Sequence, residues 1–237
     1  MHAQHTGTRP GRLLLIAGSA VLAAAALTSC DGHTKVAESR YGIDAKVTSL
    51  DTSTSGGNIE VVAGKGPGAR VTERLTYSGD KPRTAHTLHD GTLSLSAPGC
   101  AGGRSGNCGV DYRVTVPRGT TLSVRTEGGN ITLRGLSGAV AARTEGGNIR
   151  VSGSTAKRLA AYTSGGGVDL ALTTTPDKVT AESKGGNVTV RLPQGRYALD
   201  VSTGGGRRTV SVGDDPSSSH MVRAHTSGGD VSVRATG

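Results

Sequence analysis

Thr126-Glu127-Gly128-Gly129-Asn130-Ile131 returns eighteen residues later as Thr144-Glu145-Gly146-Gly147-Asn148-Ile149, and this recurrence decides the fold. Thr54-Ser55-Gly56-Gly57-Asn58-Ile59 is a third copy. Looser copies occupy residues 163–168, 183–188 and 226–231, and a degenerate one starts at Ser202. From Thr126 the successive steps are 18, 19 and 20 residues, and the gap from Thr54 to Thr126 is 72, which reads as four steps of 18. A fixed period in this range marks a repeat architecture.

Aligning the copies on their first residue exposes four apolar columns. Four residues upstream stand Leu50, Leu122, Val140, Leu159, Val179 and Val222, and two upstream Thr52, Val124, Ala142, Ala161, Ala181 and Ala224. Five downstream stand Ile59, Ile131, Ile149, Val168, Val188 and Val231, and seven downstream Val61, Leu133, Val151, Leu170, Val190 and Val233. The residues between are mostly polar or charged. Period-two alternation on both sides of a Gly-Gly turn predicts strand, reversal, strand.

The reversal is expected to need positive φ, which glycine supplies at no steric cost and asparagine tolerates. A string of hairpins and a solenoid both satisfy the local pattern. Phase favours the solenoid, because like residues stack on like only when equivalent strands lie parallel, about 4.8 Å apart. The expected fold is all-β: a parallel two-sheet β-solenoid of about 18–20 residues per coil. Asn58, Asn130, Asn148 and Asn187 share one phase and are expected to form a structural turn ladder, bonding amide to amide, in preference to a ligand-binding edge. The phase is lost between residues 64 and 118, and the Gly204-Gly205-Gly206-Arg207-Arg208 turn reads as carrying two extra residues.

Composition agrees with a thin core. Of 237 residues 38 are glycine, five are tyrosine, and Phe and Trp are absent. Bulky aromatics usually build a rounded core, so this chain must bury small Val, Leu, Ile and Ala patches instead. The glycines follow no every-third-residue pattern, which excludes collagen.

The N-terminus reads as an address. His2, His5, Arg9 and Arg12 precede an apolar run, Leu13 to Leu27, too short to span a bilayer as a helix. Leu27-Thr28-Ser29-Cys30 resembles the lipobox of bacterial lipoproteins. That resemblance implies a signal peptide over 1–29, cleavage after Ser29, and a diacylglyceryl anchor on Cys30 at the extracytoplasmic face of the cell membrane. Residues 30–40 are expected as a lipid-anchored linker and 41–237 as the solenoid, with an irregular, disulfide-bearing stretch at about 64–118. Cleavage would remove two arginines, taking the formal charge from +9 to +7. Cys100 and Cys108 are an even pair in an exported chain and are expected as a disulfide; a metal pair or free thiols are the alternatives.

Val114-Thr115-Val116-Pro117-Arg118-Gly119-Thr120-Thr121-Leu122, running into a repeat copy, resembles the "putative adhesin" family of bacterial envelope proteins. The resemblance covers most of residues 40–237 and implies stacked, Gly-turned β repeats and an interaction role in the envelope.

No constellation for catalysis is evident. His86 and His89 lie three apart and point to opposite faces of a strand. GxSxG and phosphate-loop motifs are missing, and Asp177, Asp200, Asp214 and Asp215 fall at different phases. No cofactor, metal or catalytic residue is expected. The outward columns beside the turn mix charges, Arg125, Arg143, Tyr162, Glu182 and His225 against Glu127, Glu145, Ser164, Lys184 and Ser227, and offer no aromatic ladder, so nucleic acid is not an expected partner. The expected function is a non-catalytic scaffold or adhesin-like interaction module. An envelope-stress or signalling accessory and a carbohydrate-active enzyme on a β-helix are the alternatives. Expected partners are the membrane, through the anchor, and an envelope protein or wall polymer. The final repeat ends the chain and is expected as an uncapped solenoid end open to homo-association.

Overall fold

The computed structural model of the chain describes residues 34–99 and 108–236. Twenty strands alternate with turns in this part of the chain. β1 (Lys35–Ile43) leads to β2 (Ser49–Thr54) and β3 (Ile59–Gly64), followed by β4 (Ala69–Tyr77), β5 (Ala85–His89), β6 (Thr92–Ala97) and β7 (Cys108–Pro117). Regular coils follow: β8 (Thr121–Thr126) with β9 (Ile131–Arg134), β10 (Val140–Thr144) with β11 (Ile149–Ser154), β12 (Arg158–Thr163) with β13 (Val168–Leu172), and β14 (Lys178–Ser183) with β15 (Val188–Leu192). The last part comprises β16 (Arg196–Thr203), β17 (Arg208–Val210), β18 (Gly213–Asp214), β19 (Met221–Thr226) and β20 (Val231–Ala235).

The strands form two ten-stranded sheets. One runs β1-β4-β7-β3-β9-β11-β13-β15-β20-β17, the other β18-β16-β19-β14-β12-β10-β8-β2-β6-β5. From β7 to β17 and from β18 to β6 every neighbour is parallel. The fold is therefore the two-sheet solenoid that the columns predict. Val140 lies between Leu122 and Leu159, and Ile149 between Ile131 and Val168. All four columns are buried and form the spine of the core, which Leu75, Leu93, Tyr112, Leu136 and Tyr197 extend.

Coil order in space departs from coil order in sequence at both ends. Leu50 pairs directly with Leu122, so the 72 residues from Thr54 to Thr126 are one step of the stack, not four. The chain between them makes the outer coil β6/β7 and the antiparallel strands β4 and β5. The C-terminal coil β19/β20 is likewise interior: β19 lies between β14 and β16, and β20 between β15 and β17. The expectation of an open end at the final repeat is corrected accordingly. That end is built by the eight-residue β16, the three-residue β17 and the two-residue β18, which pairs only with Arg196 and Tyr197 of β16.

Two further boundaries change. Thr203, not Ser202, pairs with Thr226, so the 203–208 turn has the standard six residues and carries no insertion. That register puts Arg208 in the column of Val231, where its Nε donates to the Val201 carbonyl at 3.0 Å. An arginine fits here because this is the last position of the column, with no further coil to cover it. At the other end β1 begins at Lys35, inside the stretch expected as linker, because residues 35–43 pair along their whole length with β4.

Candidate interaction surface

The repeat turn is held by two rows of side chains. In the inner row, Thr144 Oγ1 donates to the Gly129 carbonyl of the neighbouring coil at 2.8 Å and accepts the Gly147 N–H at 3.1 Å. Thr126, Thr163, Ser183, Thr226 and Thr203 repeat the same pair of bonds. The hydroxyls satisfy the peptide groups that the tight turn leaves buried. This row opens every repeat, and a threonine column facing inward at a turn is the signal that could have assigned it.

The outer row contains the asparagines. Asn130 gives both its backbone N–H and its Nδ2–H to Asn58 Oδ1, at 2.9 and 3.2 Å. Asn148 does the same to Asn130 Oδ1 at 2.8 and 3.2 Å. The row starts one coil earlier than the repeats suggest: Asn58 gives the same two bonds to Asp111 Oδ1 at 2.7 and 3.0 Å. Sequence reasoning missed Asp111, although Asp111-Tyr112-Arg113-Val114 follows the pattern of Asn58-Ile59-Glu60-Val61. At the far end Asp230 N–H donates to Asn187 Oδ1 at 2.8 Å, and Arg207 N–H to Asp230 Oδ1 at 2.7 Å.

The glycines serve a purpose other than the one expected. Among the described Gly-Gly pairs only Gly57 has positive φ, and Asn58, Asn130, Asn148 and Asn187 do not. The second glycine is required by proximity: a Cβ on Gly129, Gly147 or Gly166 would stand 1.8 to 2.1 Å from the carbonyl oxygen of the coil before it. The corresponding first glycine, Gly128, has nothing within 4 Å of such a Cβ.

Beside the asparagine row, on the outer face of the β1–β17 sheet, lie two open grooves. One, of 430 Å³, is bordered by Asn148, Gly167 and Asn187 on one side and by Arg150, Asp169 and Thr189 on the other. The second, of 460 Å³, lies between Arg40, Arg74, Glu60 and Asp111 at the end where the antiparallel strands β1, β4 and β5 flank the stack, the capped end. Carboxylates on this face are bracketed by arginines. Glu60 meets Arg113 at 2.9 Å and Arg134 at 3.5 Å, and Asp169 meets Arg191 and, at 3.7 Å, Arg150. Such exposed pairs contribute little stability individually, but they leave the face mixed in sign, as the columns beside the turn also read.

The capped end contains one buried acid. Glu73 on β4 faces inward and accepts the Tyr41 hydroxyl at 2.7 Å and the Thr84 hydroxyl at 2.8 Å. Burial, then the Glu73 carboxylate, pushes the Tyr41 hydroxyl pKa far up; burial and the same charge raise Tyr112, whose buried hydroxyl has no hydrogen-bond partner among the described residues. His86 on β5 stacks on Tyr41 with ring centroids 4.4 Å apart, and His89 meets Asp90 at 3.1 Å. Asp200 pairs with Arg223 at 3.3 Å. Asp214 is in β18, and Asp215 accepts the Ser217 hydroxyl and N–H, which lower its pKa. Among the described residues no group of His, Cys, Asp and Glu is arranged to hold a metal. Cys108 opens β7, whereas Cys30 and Cys100, and with them the anchor and the Cys100–Cys108 pairing, lie outside the described residues.

Residues 27–234 match the family described as Toastrack DUF4097. The chain belongs to the Toastrack family. No curated protein matches it. Among solved structures, this Toastrack chain is similar to a "putative cell adhesion protein" from Clostridium sporogenes, at 16% identity and a TM-score of 0.48 over 85% of this chain and 100% of that one. A "putative adhesin" from Bacteroides fragilis matches at 15% identity and a TM-score of 0.47, covering 88% and 100%. A "putative lipid binding protein" from Parabacteroides distasonis matches at 12% identity and a TM-score of 0.31, covering 87% and 98%.

Proposed function

We propose that this Toastrack chain is a non-catalytic interaction module of the cell envelope, held at the extracytoplasmic face of the membrane by a diacylglyceryl group on Cys30. The observation that carries the reading is where the polar chemistry goes. Threonine hydroxyls and asparagine amides are engaged from coil to coil, and the carboxylates of the open sheet face are tied to arginines. What remains for a partner is a long, flat, repetitive surface with open grooves, which suits binding along a surface better than turnover in an enclosed pocket. The lipobox Leu27-Thr28-Ser29-Cys30 supports the anchor. With β1 starting at Lys35, five residues would tie the capped end within about 18 Å of the lipid.

The test is metabolic lipid labelling with cell fractionation of the native chain and of Cys30→Ala. The native chain should be labelled and membrane-bound, and the variant unlabelled and released. Continued labelling of the variant would sink the anchor. In-cell crosslinking identifies the partner, and wall-glycan turnover that co-purifies with the chain would overturn the non-catalytic reading.

A further inference from the structure

The asparagine row is interrupted at one coil. Gly167 occupies the asparagine position ahead of β13: its N–H donates to Asn148 Oδ1 at 2.7 Å, as its neighbours' do, but it has no side-chain oxygen to offer the next coil. That next residue is Asn187. Its Oδ1 accepts the Asp230 N–H, which fixes the amide so that Nδ2 faces Gly167, the orientation of Asn130 and Asn148. Asn187 therefore turns two N–H donors, backbone and Nδ2, towards a place where Asn130 and Asn148 find an oxygen. Among the described residues neither donor has an acceptor.

The 430 Å³ groove lies over this interruption, within the range of roughly 300–1,000 Å³ typical of small-molecule sites. Its other wall supplies the Thr189 hydroxyl, the Arg150 guanidinium and the Asp169 carboxylate. Two convergent N–H donors call for an acyl oxygen. Asp169, paired with Arg191 and at 3.7 Å with Arg150, keeps lone pairs for hydroxyl donors, while Arg150 and Thr189 can donate to ring oxygens. A neutral acyl group on a polyhydroxy ring meets all of these requirements together.

We propose that the gap at Gly167 is a binding site for an N-acetylated sugar unit, whose acetamide carbonyl takes the two Asn187 donors in the place of the missing side-chain oxygen. The site rests on the envelope reading above, where such sugars belong to wall glycans, and it specifies the ligand class. A few hydrogen bonds on an open face give a dissociation constant on the order of 1 mM for a single fragment. Several membrane-held copies engaging one polymer would lower it through multivalency.

The experiment is an amide-resolved NMR titration of the full chain in detergent with N,N′-diacetylchitobiose. The de-N-acetylated disaccharide and sodium acetate serve as comparison ligands. The backbone and side-chain amides of Asn187 and the amide of Gly167 should shift with the acetylated sugar and not with its deacetylated form. Gly167→Asn supplies the missing oxygen and should weaken binding by at least about tenfold. Thr189→Ala, which leaves the row untouched, should weaken it severalfold and keeps the test open if Gly167→Asn folds poorly. Equal shifts from the deacetylated sugar, acetate binding as well as the disaccharide, or unchanged affinity in both variants would each overturn the proposal. None of these outcomes bears on the anchor, which lipid labelling judges separately.

Discussion

Gly147 backs onto the carbonyl of Gly129 so closely that a Cβ at 147 would lie 2.0 Å from that oxygen. Stacked turns approach through their second glycine, and the threonine two residues before the pair bonds the same carbonyl. Gly147→Ala must push two coils apart at the point where three hydrogen-bonding groups meet. It is expected to cost more than about 3 kcal/mol, seen as a lower urea midpoint or loss of soluble protein. Gly128→Ala, with nothing near its Cβ, should stay within about 0.5 kcal/mol of the native chain. Equal effects at the two sites would show that backbone freedom, not proximity, selects these glycines.

The inner row gives a second, sharper substitution. Thr144→Val keeps shape and volume but removes the hydroxyl that serves the Gly129 carbonyl and the Gly147 N–H. Both groups then stay buried and unpaired, at a cost of about 2 kcal/mol. Thr144→Ser keeps the oxygen, as Ser183 does in its own coil, and should lose less than half as much. Equilibrium denaturation of the pair distinguishes the bond from the packing of the methyl group.

Period and phase made the solenoid legible, because a column of like residues has no meaning unless strands stack in parallel. Order was not legible. Leu50 and Leu122 have the same phase whether they are one step apart or four, and only pairing tells which. The same holds for Val222, whose phase does not say that its strand lies inside the stack between β14 and β16. Arg208 was hidden because it breaks its column, and Asp111 because no Thr-x-Gly-Gly copy directly precedes it in the sequence. Glu73 shares the inward phase of Ala69, Val71 and Leu75, a signal that the sequence reading passed over, and its partners Tyr41 and Thr84 are too distant in sequence to be read from the pattern.

The capped end predicts a response to alkali. Burial and Glu73 hold the Tyr41 and Tyr112 hydroxyls protonated well above their ordinary range, and burial raises Tyr197. Their unfolded pKa is about 10. A folded value above the unfolded one means the native state keeps protons that the unfolded state releases. Stability from these groups is thus complete below about pH 10 and falls as the pH rises past it. In a spectrophotometric titration Tyr41, Tyr112 and Tyr197 should ionise together with unfolding. Tyr41→Phe should reduce the loss above about pH 10, and reversible ionisation of Tyr41, Tyr112 and Tyr197 in the folded chain would refute the account.

Arg208 bears on association. It occupies the last position of the core column that contains Val231, on the edge strand β17, with Leu199, Val201 and Val210 only half buried beside it. A charged, hydrogen-bonded residue at an unpaired edge discourages a second stack from docking there. Arg208→Val would extend the apolar column to the surface and remove that charge. Analytical ultracentrifugation over a concentration series should then show the variant associating at concentrations where the native chain does so less. The opposite end is unchanged in this variant: its edge strands are β1 and β5, and β1 carries Lys35, Glu38 and Arg40, charges that discourage pairing along that edge. Association of the variant is therefore expected to stop at pairs joined by the β17 end. Open-ended growth would mean that the capped end also pairs, and sedimentation identical to the native chain would mean that the arginine does not guard the edge.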